Sequence, residues 1–251
     1  GYTYGYNYAY IDDVEIRDIP NCPEPTNLGG IVTSDTSCTF SWNDSNVVSS
    51  YIIEWGPSGF AQGTGIVYDT IVGTQWSIDT LEANTTYDLY IQSLCSSQAL
   101  NSPWYGPISV TTPCSPTAAP FADGFENKPA AYGNSINPNL PDCWTYSVNS
   151  NPGNSYSYAS TSSFSSYSGT GYVYNRQSNV AGDTVVVSLP MIEDLNQGGI
   201  QLKFWARTSS TTYPGQMSVA TTDASGSYTS AVVAKNMNVG STTYQQYSVY
   251  L

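Results

Sequence analysis

Residues 81–95, LEANTTYDLYIQSLC, decide the fold. Tyr87, Leu89 and Ile91 fall on one parity and Asp88, Tyr90 and Gln92 on the other. That period of two marks a strand with one face packed and one face turned away. Working outward, residues 36–42, TSCTFSW, put Cys38, Phe40 and Trp42 in phase. Residues 51–56, YIIEWG, do the same with Tyr51, Ile53 and Trp55. TQWSI at 74–78 and ISVTTP at 108–113 are further short runs, with polar turns between them. Residues 21–30, NCPEPTNLGG, read as a Pro-rich lead-in. Short strands spaced by about ten residues predict an antiparallel sandwich.

Composition narrows the functions. The chain has 251 residues, a formal net charge of −13, six Lys and Arg together, and no His. That length suits two domains with a terminal extension. An acidic, Lys-poor surface makes nucleic acid and anionic membranes poor partners. No apolar run is long enough to cross a bilayer, so membrane insertion is not expected. Without His, Ser–His and Cys–His nucleophilic catalysis is excluded, and the commonest zinc ligand is missing. The 22 Tyr residues, with abundant Ser, Thr, Gly and Asn, give a β-rich, extracellular composition. No signal peptide is visible, so the sequence reads as a mature form or a window of a longer chain. Five cysteines lack any C-x-x-C pair, which favours disulfides over zinc or thioredoxin chemistry.

Trp42, Leu81 six residues before Tyr87, the Y-x-L-x-I run and the closing V-x-T-T together resemble a fibronectin type III domain over Asn21–Pro113. The resemblance implies that Tyr87 is a tyrosine-corner residue whose hydroxyl is satisfied by nearby backbone. Trp42, Trp55 and Tyr87 are then core residues. The stretch EWGPSGFAQGTG, 54–65, resembles the variant found in secreted surface proteins of Bacteroidota.

From Cys114 the character changes. PFADGFEN at 120–127 precedes a loop-rich region and LPDCWTYS at 140–147. TVVVSLPMI (184–192), GIQLKFWART (199–208), QMSVATT (216–222) and TTYQQYSVYL (242–251) read as strands. Ile200, Leu202, Phe204 and Ala206 share a face. The F-E-N, L-P-x-C-W and strand pattern resembles the jelly-roll domains of cleaved-adhesin and MAM-like type. That resemblance implies further strands after YQQYSVYL, the last reading like Y-x-Y-I-D-D-V-x-I. The signature stands at the other end of the chain, in Tyr8-Ala9-Tyr10-Ile11-Asp12-Asp13-Val14-Glu15-Ile16. The expected architecture is therefore all-β: residues 1–20 as the terminal strand of a jelly roll, 21–113 as the fibronectin sandwich, and 114–251 as a jelly roll lacking its last strand.

Tyr2, Tyr4, Tyr6, Tyr8 and Tyr10 share a parity with Asp12, Val14 and Ile16. Three readings of this strand stand open. The chain is a window cut from an array of adjacent repeats, or the strand completes a neighbouring copy, or it folds back in cis, which Pro20-Asn21-Cys22 leaves little slack to do. The first two imply head-to-tail contacts between copies, which generate filaments when they do not close. The expected role is structural or adhesive at a cell surface, not catalytic. The alternative is a carbohydrate-binding accessory region of a secreted hydrolase or adhesin, with Tyr156, Tyr158, Phe164, Tyr167, Tyr172 and Tyr174 as stacking groups for glycans. Those Tyr residues equally cover a sheet surface.

An inward-facing Asp12 would call for a cation. The jelly-roll resemblance implies structural calcium, an ion of about six to eight oxygen ligands, at Glu126 with Asp12 or Asp13, and with Asp123 or Asn127 nearby. The alternative is that Asp12 and Asp13 sit at a solvated strand end. Sandwich geometry, with the first strand beginning where the sixth ends, allows Cys22–Cys95. The jelly-roll resemblance implies Cys114–Cys143. Cys38 is then a buried thiol, unless Cys38–Cys114 forms and leaves Cys143 odd. Thr70, Thr80 and Thr184 lie in Asp-Thr-aliphatic triplets resembling the O-glycosylation motif of Bacteroidota. Asn43 and Asn84 begin N-glycosylation sequons, idle in a bacterium.

Overall fold

The computed structural model describes residues 12–14, 22–45, 48–95, 100–126, 128, 139–148, 156–161, 165–176, 184–212, 214–222 and 231–251. The chain divides into two compact units, Gly1–Pro113 and Cys114–Leu251. Both are built from strands, and the only helical turn among the described residues is the single 3-10 turn Leu195–Gln197.

The first unit contains β1 (Thr26–Val32), β2 (Cys38–Asn43), β3 (Val48–Pro57), β4 (Ile66–Ile71), β5 (Gln75–Ile78), β6 (Thr86–Cys95), β7 (Leu100–Asn101) and β8 (Tyr105–Thr111). One sheet runs β1-β2-β5, the other β4-β3-β6-β7 with β8 also on β6. β3 and β6 are antiparallel, with Ile53 opposite Ile91 and Trp55 opposite Leu89. The in-phase residues meet in one core of Phe40, Trp42, Tyr51, Ile53, Trp55, Ile78, Leu81, Tyr87, Leu89 and Ile91, with Leu28, Cys38 and Val110. Trp42 packs edge-on against Tyr51 at 5.0 Å and Trp55 against Tyr87 at 5.5 Å. The Glu82 amide donates to the Tyr87 hydroxyl at 2.9 Å, the backbone contact expected of a tyrosine corner.

The Pro-rich lead-in is shorter than its composition implied, because β1 starts at Thr26. Its register shifts between Thr26 and Gly29, with Asn27 at positive φ. Gly30 explains how so glycine-rich a run becomes a strand. A Cβ there would lie 2.5 Å from Val110 and 3.0 Å from Phe40, so only glycine admits the close crossing.

The second unit contains β9 (Thr145–Val148), β10 (Tyr156–Thr161), β11 (Gly171–Arg176), β12 (Val185–Ser188), β13 (Gln201–Ala206), β14 (Gly215–Thr221), β15 (Val232–Val239) and β16 (Gln245–Tyr250). They form four antiparallel ladders: β9 with β12, β10 with β11, β13 with β16 and β14 with β15. Leu202 pairs with Val249 and Phe204 with Tyr247, and the Phe204 and Tyr247 rings stack at 5.6 Å. Leu202, Phe204 and Ala206 are half-buried while Lys203 and Trp205 are exposed, so the expected alternation holds within the strand; Ile200 precedes it. Sequence patterning named no strand at β9 or β15, and read the alternate tyrosines of β10 and β11 as covering a sheet surface without giving strand bounds. β9 and β10 are rich in Ser, Thr and Tyr, whereas β15 carries Val232, Val233, Ala234, Met237 and Val239 and is set by its antiparallel ladder with β14.

Candidate interaction surfaces

Of the Tyr-rich N-terminal run only Asp12, Asp13 and Val14 are described; Tyr4, Tyr6, Tyr8, Tyr10 and Ile16 lie outside the described residues. These three residues carry no strand pairing, and Val14 is 75% exposed. The Asp13 amide donates to Asp12 Oδ1 at 2.9 Å, with Asp13 at φ 51°, a local turn made by a short acidic side chain.

Glu126 occupies a different setting. Its Oε2 accepts from the Thr170 hydroxyl at 2.7 Å, the Thr170 amide at 3.0 Å and the Gly171 amide at 3.1 Å. The Thr170 hydroxyl and amide, with the Gly171 amide, hold its carboxyl below the usual range. Glycine is required opposite it: a Cβ on Gly169 would lie 2.1 Å from Glu126 Oε1, and one on Gly171 would meet the Gly124 and Phe125 backbone. Glu126 thereby ties the F-E loop to the start of β11. Asp123 is exposed and bonds within its own loop, Oδ1 accepting from the Phe125 amide at 2.7 Å. Asn127 lies outside the described residues. Among the described residues no three acidic, Cys or His side chains gather as metal ligands. The donors around Glu126 are N–H and O–H groups, which suit a carboxylate and compete with a cation.

Cys22–Cys95 and Cys114–Cys143 are disulfides, with Cα–Cα distances of 5.9 and 5.8 Å. Cys38 is a free thiol with no exposure, and burial pushes it up. Two disulfides are the mark of an oxidising compartment. Thr70 and Thr80 are exposed, Thr70 at the end of edge strand β4; Thr184 is half-buried, and Asp183 lies outside the described residues.

The 57–65 loop folds onto the outer face of the β3–β6 sheet. Phe60 packs edge-on against Tyr90 at 5.6 Å. Glu54, only 2% exposed, accepts from the Gly63 and Gly65 amides, both at 2.7 Å. Asp88 accepts from Ser109, from the Gly59 amide and from Ser58 at 2.6, 2.8 and 3.1 Å. Ser109 first, then the Gly59 amide, holds the Asp88 carboxyl below its usual value. Both carboxylates are buried and satisfied, so they anchor the loop instead of offering themselves to a ligand.

Of the tyrosines read as stacking groups, Tyr172 and Tyr174 are half-buried on β11, with Tyr174 opposite Tyr158. Phe164 and the side chains of Tyr156 and Tyr158 lie outside the described residues. Tyr167 is exposed and stacks on Trp205, a residue that the sequence reading did not select. The signal was present in the alternation of residues 202–207, which sends Trp205 and Arg207 away from Leu202 and Phe204.

No protein-family profile matches the chain, and no curated protein matches it. Solved structures similar to it include the FN1–FN3 domains of chicken CNTN1, 20% identical, TM-score 0.33, covering 37% of this chain and 31% of that one. The FN5 domain of Drosophila Lar is 19% identical, TM-score 0.32, covering 38% of this chain and 99% of that domain. An fn3 domain of human contactin 1 is 19% identical, TM-score 0.35, covering 44% of this chain and 93% of that domain. The chain thus spans about a third of the chicken segment. The likeness is to fibronectin type III domains, and the two sheets of the first unit have that all-β sandwich arrangement in their own right.

Proposed function

We propose that the chain is an extracellular structural and adhesive unit of a head-to-tail array, filament or tandem-repeat fibre. In it the Tyr-rich N-terminal strand of one unit completes the C-terminal jelly roll of the next. The carrying observation is the contrast in ladders. The strands described in the second unit stand in four separate pairs, so each presents an edge that an added strand could extend. Val232 and Val233 on β15 and Tyr250 on β16 are exposed, and Tyr250 is 78% so. The donor segment brings five tyrosines on one parity, with Val14 left exposed in the single chain. A heterologous contact of this kind propagates instead of closing. Calcium would enter as a bridge, Asp12 or Asp13 of one copy facing Glu126 of another, and would have to displace the Thr170 and Gly171 donors. O-linked glycans would sit on the exposed Thr70, near the end of edge strand β4, and on the exposed Thr80.

The test compares the full chain with residues 19–251. Sedimentation should show concentration-dependent oligomers for the first alone, and a Gly1–Asp18 peptide should bind the second and raise the unfolding temperature of its C-terminal unit. A full chain that stays monomeric at millimolar concentration, together with a peptide that does not bind, would sink the reading. A chelator that leaves the oligomers and their stability unchanged would remove calcium from it.

A further inference from the structure

The second unit carries an aromatic and cationic patch that head-to-tail pairing does not use. Trp205 and Tyr167 stack face to face, ring centroids 3.9 Å apart and planes 11° apart. Each covers one face of the other, yet they remain 41% and 51% exposed. Tyr244 meets Tyr167 edge-on at 5.6 Å, and its hydroxyl donates to the Ser165 carbonyl, which ties the 165–170 loop to the residue preceding β16. Arg207 lies over the Tyr244 ring at 5.4 Å. The platform is therefore held in place by contacts from three segments of the chain.

The charge around it departs from the rest of the molecule. Opposite residues of an antiparallel ladder share a face, so Trp205 with Gln246 and Lys203 with Ser248 lie on the outward side of β13–β16. Lys235 Nζ donates to the Ser248 carbonyl at 3.3 Å, bringing a third cation alongside. Lys203, Arg207 and Lys235 are thus three of only six Lys and Arg in a chain of net charge −13. Among the described residues neither Lys203 nor Arg207 pairs with a carboxylate.

We propose that Trp205, Tyr167 and Tyr244, with Arg207 and Lys203, form a binding site for an acidic polysaccharide, a chain of uronate sugars lying along the surface. The apolar C–H face of a pyranose ring suits the negative face of an aromatic ring. A carboxylate on the sugar meets the guanidinium and ammonium groups at the edge of the platform. Gln246 supplies amide donors and acceptors for hydroxyls. Trp205 and Tyr167 are both exposed, which fits a polymer passing across the surface. This site is independent of the strand exchange proposed above and survives if that reading fails.

The experiment titrates the full chain with an oligogalacturonate and with its fully methyl-esterified form. The acidic oligomer should bind, weaken as salt rises, and exceed the ester by about tenfold, the worth of one charge-assisted contact. Trp205→Ala and Tyr167→Ala should abolish binding of both with the unfolding transition unchanged. Arg207→Ala should bring the acid down to the level of the ester. No binding of the oligogalacturonate, equal binding of acid and ester, or binding indifferent to both aromatic substitutions would overturn the proposal. So would a Gly1–Asp18 peptide that binds in a Trp205-dependent way, since the patch would then belong to contacts between copies.

Discussion

The two units of this chain solve the same problem to different depths. Both are antiparallel β with alternating patterns, and each carries one disulfide. In the first unit, thirteen side chains from both sheets close into one buried cluster. In the second, the buried apolar residues among those described are Ala159, Val239 and Val249. Its apolar strand faces are half-covered, as in Leu202 and Phe204. Burial scales hydrophobic stabilisation at about 25 cal/mol per Å², so among the described residues the first unit draws more stabilisation from its core than the second does. The difference teaches that an identical alternation signals a strand without saying how completely its face is buried.

Removing the disulfides would test this most severely. Cys22→Ala with Cys95→Ala opens a link across 73 residues, worth about 4 kcal/mol in chain entropy. Cys114→Ala with Cys143→Ala opens one across 29 residues, worth about 3.5 kcal/mol. In calorimetry the first pair should lower the melting temperature of unit 1 and leave its transition cooperative. The second pair should erase the cooperative transition of unit 2. The reverse pattern would break the comparison.

Core truncation comes next. Ile53→Ala, at a fully buried site, should destabilise unit 1 by about 3 kcal/mol. Phe204→Ala, at a half-buried site, should cost unit 2 only about 1 kcal/mol in urea unfolding. Equal losses would mean that the second core is as dry as the first.

The smallest effect is the dependence on pH. Asp88 and Glu126 both have folded values below their ordinary ones. A depressed carboxyl contributes stability that is present above its unfolded value and is lost as pH falls through the folded one. Unit 1 should therefore weaken below about pH 4, and Asp88→Asn should flatten that decline. Glu126→Gln should flatten the matching decline of unit 2 by less, because its carboxylate is exposed and solvent screens it. Acid unfolding that is unchanged by either substitution would remove both carboxylates as acid-sensitive contacts.

Much of the first unit was legible in its sequence. Strict alternation in residues 36–42, 51–56 and 85–95 placed Phe40, Trp42, Ile53, Trp55, Leu89 and Ile91 inward, because a pleated strand sends neighbours to opposite faces. Tyr87 was legible as a corner through the fibronectin resemblance, with Leu81 six residues before it. β1 was not, since Gly29 and Gly30 carry no periodic signal and their role exists only against Phe40 and Val110. In the second unit β10 alternates Tyr with Ser and Ala and carries no aliphatic period, while β15 went unread although Val233, Met237 and Val239 share a parity.

Sequence by itself determined the all-β character, the in-phase core of the first unit, the absence of histidine chemistry and the acidic balance that makes a cationic patch conspicuous. These follow from residue identity and from the twofold repeat of a strand. Only the tertiary structure decided that Glu54 and Asp88 serve as loop anchors, that Glu126 grips Thr170 and Gly171, and that Tyr167 lies flat on Trp205. Each of those facts joins residues at least nine positions apart, and in the last two about forty, so they depend on which segments the fold brings within hydrogen-bonding or stacking distance. Local pattern carries no record of that choice.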